Sequence, residues 1–150
     1  MKLYLVQHGK AKEYPERHLS EEGIADVKKV AAFVAKRIEV KTIVHSGKAR
    51  AKRTAEILRD YLKASEIKET EDLKPLADPS IWATYLAKID KNLMIVGHLP
   101  HLSKLCSLLL YKDEDKKVVN FQMGSIVCLE RDETGSWYIN WAVVPELILS

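Results

Sequence analysis

Leu3-Tyr4-Leu5-Val6-Gln7-His8-Gly9-Lys10 is an apolar run that stops at a histidine and a glycine. It has the length of a buried strand. A polar residue at the end of such a strand falls on the carboxyl edge of a sheet, where open α/β proteins bind their ligands. Gly9, having no side chain, is expected to let the backbone approach an anion there. Working outward, Ser20 with Glu21 and Glu22 behind it opens a helix, in which Ile24, Val27, Val30, Ala31, Val34 and Ile38 recur as one core-facing stripe.

Thr42 to His45 reads as a second strand, and Lys48 to Tyr61 as a helix with Ala51, Thr54, Ala55, Leu58 and Leu62 on one face. Ile67 to Leu73 is a weaker strand. Asp78-Pro79 supplies an N-cap followed by proline at the first helical position, opening a helix expected to run through Ile89. Leu93 to Val96 is an uninterrupted apolar strand, and Pro100 to Leu110 a helix with Leu102, Leu105, Cys106 and Leu109 on one stripe. Ile126 to Glu130 and Trp137 to Val143 flank Asp132 to Gly135, a hairpin signal.

Strands alternating with helices through residue 110 imply parallel βαβ units, and the closing hairpin adds antiparallel pairing. The expected fold is α/β: a three-layer α-β-α sandwich with a mostly parallel sheet and a C-terminal antiparallel hairpin strand. The 150 residues carry no repeat, low-complexity tract or linker, so a single domain spanning 1–150 is expected.

Lys and Arg total 24 against 21 Asp and Glu, a net charge of +3 spread along the chain. That balance announces neither a nucleic-acid nor a membrane surface. Cys106 and Cys128 lie inside apolar stretches without metal-ligand spacing, so they read as buried free thiols of a reducing compartment, and a cytoplasmic location is expected. The first apolar run is too short for a signal-peptide core, and none approaches a membrane span.

Polar residues gather after three of the strands: Gln7-His8, Ser46 to Arg50, and His98. In a parallel sheet all three turns share one edge. Two imidazoles and a guanidinium meeting there would surround a tetrahedral oxyanion, because arginine offers a fixed fork of donors and histidine can attack or donate. No carboxylate stands in these turns. That speaks against a metal, which would want Asp or Glu beside the histidines.

Leu5-Val6-Gln7-His8-Gly9, Ser46-Gly47-Lys48-Ala49-Arg50-Ala51 with Thr54, and Gly97-His98-Leu99-Pro100 resemble the histidine phosphatase superfamily, above all its small SixA-type phosphohistidine phosphatases. The resemblance covers nearly the whole chain in motif order, spacing and closing hairpin. It implies that His8 is the nucleophile that takes the phosphoryl group, that Arg50 clamps its equatorial oxygens, and that His98 is a second donor. It implies no cofactor. Its implied partner is a protein bearing phosphohistidine, such as a histidine-phosphotransfer domain of a signalling relay or a carrier of the phosphotransferase system.

The chain departs from the family at position 7, where Gln7 stands in place of an arginine. Glutamine donates a neutral hydrogen bond where arginine gives a charge-assisted one worth about 1.5 to 3 kcal/mol. Arg17, in Arg17-His18-Leu19-Ser20, matches an arginine of SixA-type members and is a candidate to restore that charge, against a plain solvent-facing role. Lys10 and Lys48 read as solvated surface. Asp78 is the one candidate general acid, although a helix cap explains it as well. Ser46 reads as the turn residue that starts the helix carrying Arg50, His45 as a satisfied core histidine, His18 as exposed, and His101 as a helix-start residue near the pocket mouth.

Two other functions stay open at this level. A small-molecule phosphomonoesterase would need Asp78 or another acid for the departing alkoxide. A non-catalytic domain binding phosphoproteins or anions would account for Gln7, although such a binder has little use for a neutral nucleophile.

Overall fold

The computed structural model describes residues 1–13 and 17–149. Its elements run β1 (Lys2–Gln7), α1 (Glu21–Val34), β2 (Thr42–His45), α2 (Ala49–Leu62), β3 (Glu66–Glu69), α3 (Pro79–Leu86), β4 (Leu93–Gly97), α4 (His101–Tyr111), β5 (Ile126–Arg131) and β6 (Trp137–Val143). Short 3-10 turns occupy Glu71–Leu73 and Pro145–Leu147.

The six strands form one sheet in the order β3-β2-β4-β1-β5-β6. The first four are parallel, and the hairpin β5-β6 adds to β1 antiparallel. Side chains alternate faces along a strand, and the core divides accordingly. Tyr4, Val6, Met94 and Val96 pack with Val27, Val30, Ala55 and Leu58 of α1 and α2. Leu3, Leu5, Leu93 and Ile95 pack with Trp82, Leu86, Leu102 and Leu105 of α3 and α4. A helix layer therefore covers each face, which is the expected α-β-α sandwich. The strand stretches buried on both sides are apolar, residues 3–6 of β1, 43–44 of β2 and 93–96 of β4, with polar residues only at strand ends.

The expected helix through Ile89 is shorter, ending at Leu86. The cause is remote in sequence: the Arg131 guanidinium donates to the carbonyls of Leu86 and Ile89, satisfying groups that further helical turns would have bonded. The expected strand Ile67 to Leu73 also divides. β3 stops at Glu69, and the Thr70 hydroxyl accepts the Asp72 N–H at 3.2 Å to open a 3-10 turn that buries Leu73.

Close backbone packing joins the β1–α1 turn to α1. The Ser20 hydroxyl oxygen accepts the Gly23 N–H at 3.0 Å as the N-cap, while the Ser20 N–H donates to the Lys10 carbonyl. A Cβ on Gly23 would lie 2.1 Å from the Lys10 oxygen. Gly9 is likewise needed for packing, since its Cβ would meet Val27 at 2.8 Å. The space it leaves is filled by α1 and not by an anion, which corrects the reading of Gly9 as an anion approach.

Candidate active site

Strand register places the two motif histidines side by side. Gln7 pairs with Gly97, so His8 and His98 each follow the last paired residue of adjacent parallel strands. Their ring centroids are 5.0 Å apart, and the His8 N–H donates to the Gly97 carbonyl at 3.1 Å. Both are buried, at 6% and 1% exposure.

His8 Nδ1 lies 2.8 Å from the Gly9 carbonyl oxygen. A carbonyl only accepts, so Nδ1 carries the proton and Nε2 keeps its lone pair, the tautomer an attacking imidazole requires. Burial pushes the His8 pKa down to about 4, with the Arg50 and Arg17 charges as lesser causes. His8 is thus neutral at pH 7, mainly through desolvation and only secondarily through Arg50. His98 is pushed to about 3 by burial first, then by His8, Arg50, Lys48 and His101.

Arg50 stands on the first turn of α2, and its charge reaches both imidazoles. Thr54 fixes that turn to the loop after His8: its hydroxyl donates to the Arg50 carbonyl at 2.8 Å and accepts the Gly9 N–H at 3.1 Å. Arg17 is exposed on its loop, yet its charge reaches His8 and Arg50. Gln7 is buried, and its Oε1 has no partner.

Ser46 is not the helix cap, a position held by Lys48. Its hydroxyl lies 2.5 Å from His98 Nε2 and accepts the Lys48 N–H at 3.3 Å, so it orients the second imidazole. Sequence reading missed this because residues 46 and 98 meet only through the β2-β4 pairing. Thr54 belonged to the motif without a role, and the local signal for one was only its spacing from Arg50. His45 is satisfied, its Nδ1 accepting the Gly47 N–H at 3.0 Å, and His18 is exposed.

Asp78 is the N-cap of α3, accepting the Ser80 N–H at 2.9 Å. That bond holds its carboxyl below the usual carboxylate range, the wrong direction for a general acid. Among the described residues, no three His, Cys, Asp or Glu side chains gather closely enough to hold a metal ion. Nor is any helix among them long and apolar enough to cross a membrane.

The buried side-chain nitrogens and oxygens without a partner, among the described residues, belong to Gln7, Arg50, His98 and His101. Native proteins leave few such groups unpaired, and here they converge on one sheet edge. The edge holds neutral imidazoles, an arginine and a second positive charge nearby, an arrangement suited to a phosphoryl group.

Comparison with solved structures places the chain beside the protein histidine phosphatase SixA complexed with tungstate, at TM-score 0.86 and 22% identity over 97% of each chain. The alpha-ribazole phosphatase from Shigella flexneri aligns at TM-score 0.79 and 12% identity, covering 97% of this chain and 96% of that one. The mycobacterial glucosyl-3-phosphoglycerate phosphatase in complex with VO3 aligns at TM-score 0.73 and 15% identity, covering 93% and 97%. At such identities the likeness is one of fold. No curated protein matches the sequence. The family model of the histidine phosphatase superfamily (branch 1) matches residues 3–77, half of the chain, reaching from β1 through Arg50. The chain therefore belongs to the histidine phosphatase superfamily and is a phosphatase of that family.

Proposed function

We propose that this chain removes phosphate from a protein phosphohistidine through a covalent phosphohistidine on His8. The observation that carries the proposal is the His8 imidazole, held by Gly9 with its Nε2 lone pair free and packed against His98 within reach of the Arg50 charge. In the first half-reaction His8 Nε2 attacks phosphorus while the P–N bond to the substrate imidazole breaks. Arg50, His98 and the Gln7 amide hold the phosphoryl oxygens as charge redistributes in the transition state. Arg17 supplies the second cation that Gln7 does not. In the second half-reaction water attacks phospho-His8 and releases inorganic phosphate.

The leaving group favours phosphohistidine over an alkyl phosphate. An alkoxide needs a proton as it departs, and the Asp78 carboxylate is exposed and held ionised. A protonated imidazole departs as a neutral ring. The fold likeness to a protein histidine phosphatase agrees with this substrate class. The partner we propose is a phosphotransfer protein, either a histidine-phosphotransfer domain or a phosphotransferase-system carrier.

The test is incubation with a phosphohistidine peptide, a quench in base where phosphoimidazole survives, and mass spectrometry of the enzyme. The label is expected on His8, with phosphate release lost in His8→Ala. Turnover that persists in His8→Ala refutes the covalent route, and tight binding without turnover supports a phosphoprotein-binding domain instead. Faster turnover of an alkyl phosphate than of phosphohistidine transfers the assignment to a phosphomonoesterase.

A further inference from the structure

The Ser46 hydroxyl joins two of the three turns that carry the site. It lies 2.5 Å from His98 Nε2 and 3.3 Å from the Lys48 backbone nitrogen, buried at 1% exposure. Lys48 is the N-cap residue of α2, the helix that carries Arg50. One oxygen therefore touches both the second imidazole and the start of the arginine's helix.

Two proton arrangements are open to this pair. The Lys48 N–H is a donor only, so it occupies one lone pair of Ser46 Oγ. His98 is held to about 3 by burial first and then by His8 and nearby cations, so its ring is neutral and carries one proton. With that proton on Nε2, the ring donates to Oγ. The serine proton then has no acceptor among the described residues, and Nδ1 presents a bare lone pair. With the ring proton on Nδ1, the hydroxyl donates to Nε2, and only the Nδ1–H is left unpaired. Unpaired buried polar groups are costly, which favours the arrangement with one over the arrangement with two.

The sign of the remaining group decides in the same direction. His98 Nδ1 is buried without a partner, on a ring whose centroid lies 5.0 Å from that of His8. A bare lone pair there would repel the oxygens of a phosphoryl group carried by His8. An N–H would bond one of them.

We propose that Ser46 is a positioning residue that sets the tautomer of His98: its hydroxyl donates to Nε2 and keeps the ring proton on Nδ1, as the donor to a phosphoryl oxygen. The proposal rests on the phosphohistidine reading for the group that the Nδ1–H meets. With Nε2 filled by Ser46 and Nδ1 protonated, His98 has no lone pair to offer an attacking water. It acts as a donor and not as a general base. Because the same oxygen also holds the Lys48 N–H, the placement of His98 and of the first turn of α2 is set together.

The test is NMR of the full chain at pH 7 with isotopically labelled histidine nitrogens, the His98 signals being assigned by correlation to the backbone. His98 Nδ1 is expected to show the shift of a protonated, pyrrole-type nitrogen and Nε2 that of a pyridine-type one. The reverse pattern overturns the proposal. In Ser46→Ala the preference should be lost, with Nε2 protonated in a substantial share of molecules, and turnover of a phosphohistidine peptide should fall about tenfold or more. Wild-type turnover in that variant overturns the proposal, and so does a fall in turnover with the tautomer unchanged, the mark of a merely structural role. Should Ser46→Ala fail to fold, the wild-type spectrum decides alone. A wild-type chain that shows the expected spectrum but never carries label on His8 removes the phosphohistidine reading, a result distinct from a reversed tautomer.

Discussion

Gln7 sits where a charge-assisted contact to phosphate would stand in the family motif, and its buried Oε1 is unpartnered. Gln7→Arg should tighten inorganic phosphate binding about tenfold by titration calorimetry, the difference between a charged and a neutral hydrogen bond. If Arg17 supplies the missing charge, Arg17→Ala should weaken binding strongly in the natural chain and much less in Gln7→Arg. Additive losses across that cycle would show that Arg17 does not act on the same oxygens. The residues of the proposed chemistry were legible here, since His8 and His98 each follow an apolar strand and Arg50 stands in the first turn of a helix. The burial that keeps both imidazoles neutral was not legible, because desolvation depends on what packs around a side chain and not on its neighbours in sequence.

Helices and turns hold these residues through bonds that local patterns only partly announce. Thr54→Val keeps the shape of the α2 side chain but strands the Gly9 N–H, so a stability loss of about 1 to 3 kcal/mol is expected in urea unfolding. A lower kcat should accompany it, because the same hydroxyl ties Arg50 to the loop after His8. Arg131 is the contrasting case. It caps the end of α3 through Leu86 and Ile89, with no bond to the site. Arg131→Ala should lower stability by about 2 to 3 kcal/mol, two charge-assisted bonds being lost, with phosphatase activity unchanged at temperatures where the variant is folded. Capping explains which ends were readable. Ser20 and Asp78 cap from within their own turns and were apparent in sequence. The end of α3 depends on a guanidinium from β5, and the break after β3 on a bond within a polar turn that interrupts the apolar pattern.

Across the whole molecule, His8, His98 and His101 are all buried and all held well below the ordinary histidine value of 6.5, at about 4, 3 and 4. Their native pKa values lie below the unfolded ones, so the unfolded chain binds more protons once the pH drops under about 6.5. Stability should therefore fall from about pH 6.5 to about 4, with the His98 contribution continuing to about 3. The three contributions act in the same direction. Urea midpoints at pH 7 and pH 4 measure it, and a chain in which all three are replaced by apolar residues should lose most of that dependence. A wild-type midpoint that does not move over this range would mean that the imidazoles are solvated or paired with anions.

By itself the sequence determined the layer architecture, since apolar strands alternating with striped helices can bury both faces of a sheet only as a sandwich. It also determined the three turns on which the proposed chemistry stands, because parallel strands deliver their carboxyl ends to one edge. Tertiary structure decided what those turns become together. Parallel pairing brought Ser46 to His98, helix packing brought Thr54 to Gly9, and α4 placed His101 behind the site. Such contacts join residues tens of positions apart, and only the closure of the chain around its core sets the distances, the desolvation and the fields that act between them.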